Sequence, residues 1–165
     1  MGSMKVQTKK VDIDVHATEA DDGTVHFDCH WRHTGGKPGV WKSGKIDLPN
    51  GPEAYELEFK LHDKSGRNLK FYGTGTPKKP EDAMYVQVGG PCPPASGNGG
   101  GQIKFVDVDD KELEVIDANR DPPCTLKYML RFDGDPFTGP DGTNYPPYEF
   151  DPEIRNGGGG HMASQ

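Results

Sequence analysis

The sequence predicts an all-β fold, an antiparallel β-sandwich of about seven to nine short strands. Three observations point there. Apolar and polar residues alternate with period two in segment after segment, helical periodicity is almost absent, and clusters rich in Gly (23) and Pro (15) separate the segments. The long, irregular Gly/Pro connections fit a chain that crosses between two sheets, as in an immunoglobulin-like arrangement. The Cys…Trp…Cys spacing of antibody-type domains is missing, because Trp31 and Trp41 both follow Cys29 closely and precede Cys92.

The elements follow in chain order. KKVDIDVHA sets Val11, Ile13, Val15 and Ala17 on one face and Lys10, Asp12, Asp14 and His16 on the other. EADDGT then supplies a turn, with Gly23 where a positive φ is tolerated. VHFDCHWRH places Val25, Phe27, Cys29 and Trp31 inward and His26, Asp28, His30 and Arg32 outward. These two segments read as a hairpin with one buried face. A long connection with a short strand at 45–48 leads to AYELEFKLHD, which turns Tyr55, Leu57, Phe59 and Leu61 inward. KSG reverses the chain, RNLKFYGTG returns it, and AMYVQVGG adds a strand with Met84, Val86 and Val88 inward. GGPCPPASGNGGGQ is too poor in apolar residues to bury a core and reads as a mobile loop over 89–102. IKFVDVDD breaks its alternation near Val106, which predicts a bulge or a register change. KELEVIDANRDPP holds a short strand over 112–117. CTLKYMLRFDGD is the cleanest late strand, with Leu126, Tyr128, Leu130 and Phe132 on one face. PFTGPDGTNYPPY is a Gly/Pro loop, and YEFDPEIRN ends the fold with Phe150 and Ile154 inward.

A chain of 165 residues suits one domain, read here as residues 4–156. MGSM resembles a cloning scar over residues 1–3, and 157–165 reads as a flexible, vector-derived tail, so His161 is not counted as a ligand. The net charge of -7, with no run of Lys or Arg longer than two, opposes binding to nucleic acid or to an anionic membrane. No apolar run approaches bilayer length and no secretory leader is visible, which predicts a cytoplasmic protein. Three cysteines make a poor disulfide framework. Cys92 and Cys124, both beside prolines, would pair only in an exported protein, and free thiols are the expectation.

The densest chemistry lies in HFDCHWRH. On a strand, His26, Asp28 and His30 share a face, with neighbours roughly 6–7 Å apart. That pattern suits zinc, with Asp28 or His16 of the paired strand as a further ligand. The competing reading is the solvated face of an ordinary strand. Calcium would suit Asp133, Asp135 and Asp141 around the late loop, or Asp107 and Asp109, although no EF-hand spacing is present and Asp is an ordinary turn former. No nucleophile elbow, zinc-protease helix, phosphate loop or dinucleotide fingerprint occurs, so no enzyme is expected. Trp41, Tyr145 and Tyr148 stand in or beside Gly/Pro loops, where aromatic side chains bind carbohydrate or protein partners or else cap the core. The expectation is a non-enzymatic binding or assembly module acting through its loops and needing no cofactor. The alternatives are a zinc-binding β protein using His26, Asp28 and His30, and a structural domain that self-assembles through strand edges.

Overall fold

The structure, a computed structural model, describes residues 8–31, 39–40, 44–48, 53–88, 102–119, 124–151 and 153–156. The strands are β1 (Thr8–Glu19), β2 (Val25–Trp31), β3 (Gly39–Val40), β4 (Ile46–Leu48), β5 (Ala54–Lys64), β6 (Lys70–Phe71) and β7 (Met84–Val88). They continue with β8 (Ile103–Val108), β9 (Glu112–Asp117), β10 (Cys124–Asp133), β11 (Phe137–Thr138), β12 (Asn144–Tyr145), β13 (Tyr148–Phe150) and β14 (Glu153–Asn156). A 3-10 turn at Pro80–Asp82 precedes β7.

Among the described residues two large sheets and a two-stranded β11-β12 sheet make up an all-β, sandwich-like fold. The five-stranded sheet runs β2-β1-β5-β9-β8. The second runs β13-β10-β14-β4-β3, with β6 and β7 also paired to β10. β7 and β14 both pair with Leu126, and β6 and β13 both pair with Phe132, so β6 and β7 take one edge of β10 while β13 and β14 take the other. Pairing is antiparallel except between β1 and β5 and between β14 and β4. The parallel pairs have a topological cause. Between β2 and β5 the chain passes through β3 and β4 in the opposite sheet, and such a crossover is what parallel neighbours require.

The inward faces meet in one core, as the period-two pattern predicts. It takes Val11, Ile13, Val15 and Ala17 from β1, Leu57 and Phe59 from β5 and Leu113 and Val115 from β9. Facing them are Met84, Val86, Tyr128, Leu130, Phe132 and Ile154 of the second sheet. Phe27 stacks on Phe132 at 5.2 Å and Phe59 leans on Tyr128 at 5.7 Å, tying the sheets together. Each fully buried Phe or Leu contributes about 1.5–3 kcal/mol. The buried Tyr128 hydroxyl donates to the Gly44 carbonyl at 2.7 Å.

Two connections show local chemistry at work. In the β1–β2 turn, Gly23 has φ +83°, and a Cβ there would stand 2.9 Å from the Phe137 ring. After β5, both Asp63 carboxylate oxygens accept backbone N–H groups, from Ser65 at 2.9 Å and Leu69 at 2.8 Å. This fold of the chain differs from the expected hairpin. RNLKFYGTG does not return along β5; it crosses to the second sheet and supplies the two-residue β6. The predicted bulge is present, between Phe105 and Asp107, and leaves Val106 42% exposed. No helix among the described residues is long and apolar enough to cross a membrane.

Candidate functional site

Because the inward residues of β1, β2 and β5 occupy the core, their alternate residues share the outer face of the five-stranded sheet. Register then decides which of them meet. His16 lies opposite Asp28 of β2 and opposite His62 of β5. Asp14 lies opposite His30 and Lys60. Three imidazoles and two carboxylates from three adjacent strands thus gather around His16.

The contacts are close. The His16 ring stacks on His62 with centroids 4.8 Å apart and planes 15° from parallel, and it meets the His30 ring edge-on at 4.6 Å. His62 Nε2 donates to Asp14 Oδ1 at 2.8 Å. Asp14 is only 5% exposed, so its carboxylate is held in place. His30 Nε2 lies 3.3 Å from Asp28 Oδ1. That oxygen is buried and no hydrogen bond of good geometry reaches it, so the contact is electrostatic rather than an aligned bond. Burial holds the His16 imidazole below its usual range, and the neighbouring His30 and His62 add to the effect. Among the described residues, no three His, Cys, Asp or Glu side chains already stand arranged to hold a metal ion.

This arrangement redraws the sequence-predicted trio. Asp28 and His30 belong to the cluster. His26 lies one pair further along, opposite Thr18, and is exposed. His16 joins as the cross-strand partner the hairpin implies. His62 was missed, because its neighbourhood with His16 depends on the parallel β1–β5 pairing.

The same face carries a second cluster toward β9. Lys10 Nζ is 2.7 Å from Glu58 Oε2, and Lys60 Nζ is 3.5 Å from Glu58 Oε1. Glu58 lies opposite Glu114. A hydrogen bond shared with Glu56, then burial and the charges of Glu56 and Glu58, push the Glu114 carboxyl up to about 7. A small cleft beside it, of about 70 Å³, is lined by Glu58, Asp107, Asp109, Glu112 and Glu114.

The remaining expected site residues are otherwise engaged. Lys78 Nζ reaches Asp109 at 2.7 Å and Asp107 at 3.4 Å, so the protein's own ammonium occupies that acidic pair. Asp133 accepts from the Gly134 N–H and Asp141 from the Thr143 N–H, each within its own turn, while Asp135 accepts from the distant Asn68 side chain. Tyr148 is not an exposed loop aromatic. It is 1% exposed, its hydroxyl donates to the Asp135 carbonyl at 2.6 Å, and its ring stacks on Tyr145 at 4.8 Å. Tyr145, half-buried, packs in turn against Phe137 at 6.3 Å. The pair caps the core because the loop folds its aromatic rings back onto the sandwich. Trp41, Cys92 and most of 89–102 lie outside the described residues, as does the side chain of Cys124. Cys29 is a free thiol on the core side of β2, pushed up to about 12 by burial and by the charges of Asp28 and Asp14.

Fold and site together define a β-sandwich with a histidine and aspartate cluster on one outer face. The chain matches no protein-family model and no curated protein.

Proposed function

We propose that this chain is a non-enzymatic binding module whose ligand face is the outer face of the five-stranded sheet, centred on His16. The observation that carries the reading is the meeting of Asp14, His16, Asp28, His30 and His62 on three strands. The fold asks only for polar residues at those positions, and Thr, Lys or Glu would satisfy it equally. Catalysis has less support. The Asp14–His62 pair resembles a base and its orienting acid, but the Cys29 thiol points into the core and is held protonated. Loop-borne binding through Tyr145 and Tyr148 is also weaker, since Tyr148 is buried. Self-assembly through the β8 edge is opposed by its bulge, a device that discourages strand addition.

The test is amide NMR of labelled protein with three separate probes: zinc chloride, calcium chloride and cellohexaose as a carbohydrate. The reading expects at least one probe to shift amides centred on residues 14–16, 28–30 and 60–62. Shifts centred instead on 137–148, or no shift with any probe, would overturn it.

A further inference from the structure

We propose that two copies of this chain associate through the free edge of β2, antiparallel about Cys29, so that Asp28 of each copy meets His30 of the other. The two five-stranded sheets then join into one. The contact requires no ligand on the His16 face.

The edge is open to a second strand. β2 ends its sheet and pairs only with β1 among the described strands. The free side of such a strand presents backbone N–H and C=O groups that another strand can take up. Edges are commonly blunted by a bulge, a proline, a lysine or extreme shortness. β2 has none of these. Its residues VHFDCHW pair with β1 over seven consecutive positions without a break. β8, at the other end of that sheet, carries Lys104 and the bulge beside Val106. In the second sheet β3, β6 and β13 are only two or three residues long. β7 is longer, but its outward residues Tyr85 and Gln87 carry no charge and select no register.

Charge selects both the partner and the register. On the outer face of β1 and β2, acids and imidazoles already form a checkerboard, with Asp14 opposite His30 and His16 opposite Asp28. Antiparallel pairing about Cys29 sets positions 28 and 30 of the two copies opposite each other, twice. One row across the joined sheets then reads Asp14, His30, Asp28 of the second copy and His16 of the second copy. The row beside it reads His16, Asp28, His30 of the second copy and Asp14 of the second copy. Acid and base alternate along both. Opposite charges across a ladder stabilise it and like charges directly opposite destabilise it. Pairing about Asp28 would set the two Asp28 carboxylates against each other. Pairing about Phe27 would give Asp28 the His26 ring but leave His30 opposite Thr24, outside the strand.

The groups themselves are ready for the contact. The His30 and Asp28 side chains are 57% and 22% exposed. Asp28 Oδ1 receives no well-aligned hydrogen bond within one copy. An imidazole always carries at least one N–H donor, and directly opposite residues of an antiparallel pair stand about 4.5–5.5 Å apart at Cβ.

The experiment is sedimentation velocity of the full chain at neutral pH from about 10 μM to 1 mM, the range in which so short an edge contact should associate. Amide NMR is recorded over the same range. The mean mass should rise toward twice that of the monomer, with concentration-dependent shifts centred on residues 27–31. Asp28→Lys and His30→Glu should each weaken association by about tenfold, because symmetry puts each change into both contacts. An equimolar mixture of the two variants, at the same total concentration, should recover the lost association. The introduced lysine then faces the introduced glutamate, and the remaining Asp28 faces the remaining His30. His26→Ala should leave association within about twofold. Circular dichroism identifies a variant that fails to fold, and Asp28→Ala with His30→Ala then gives the same test with smaller effects. A constant monomer mass up to the highest concentration overturns the proposal. So does a mixture that associates no better than either variant alone, or a set of shifts centred on 84–88 or 103–108. A loss in His26→Ala without one in His30→Ala overturns it too, because it would mean pairing about Phe27.

Discussion

The two ends of one sheet face handle ionisable groups in opposite ways. Toward β9, three glutamates crowd together, and the fold answers from within: Lys10 pairs with Glu58, and a hydrogen bond with Glu56 pushes the Glu114 carboxyl up to about 7. Toward β2, the crowded groups are imidazoles, and their aspartate partners each engage a ring nitrogen. Like carboxylates at short range cannot all ionise, so that end satisfies itself with a cation and a proton. The comparison teaches that two ends of one polar face can settle their crowded groups differently, one with an ammonium and the other with paired rings and carboxylates.

The largest blow to both ends together should be Phe59→Ala. Phe59 lies beneath the face on β5, between the strand positions of Glu58 and His62, and packs on Tyr128. A loss of about 3–5 kcal/mol in urea unfolding is expected. A loss confined to below about 1 kcal/mol, the scale of a surface change, would mean that the face does not depend on this part of the core.

His62→Ala separates the ends. It leaves the buried Asp14 carboxylate without that imidazole donor and should cost about 1 kcal/mol at neutral pH. Urea midpoints of the two proteins measure it, and an unchanged midpoint would show that the Asp14–His62 bond carries no net stability.

Glu114→Gln probes the other end through pH. The folded protein raises this carboxyl from 4.5 to about 7, so it binds the proton more tightly than the unfolded chain does. Its contribution to stability is therefore complete below about 4.5 and is lost as pH rises through about 7. Replacing it by an amide should remove that falling limb from a plot of urea midpoint against pH. The same slope in both proteins would deny the raised Glu114 carboxyl. The smallest effect should be that of Lys10→Ala. The Lys10 charge holds the Glu114 carboxyl down, so its removal should move the Glu114 carboxyl titration, followed by carbon NMR, to higher pH.

Much of this was legible from residue order alone. Alternation identified which side of β1, β2, β5 and β10 faces the core, because side chains in a strand point to opposite faces in turn. It also put Asp28 and His30 outward together, and the break at Val106 announced the bulge. These features are local, and a local pattern is sufficient for them. Other features depended on strands distant in sequence. The neighbourhood of His16 and His62 required β5 to lie parallel to β1, a pairing reached only after the chain had visited the other sheet. The place of His26 depended on register, which sets it beside Thr18. The burial of Tyr148 depended on a loop folding back so that a carbonyl could accept its hydroxyl. By itself the sequence determined the all-β class, the core face of each long strand and the polarity of the outer face. The tertiary structure decided which polar residues meet there, because alternation chooses a side of the sheet and only pairing between distant strands chooses a neighbour.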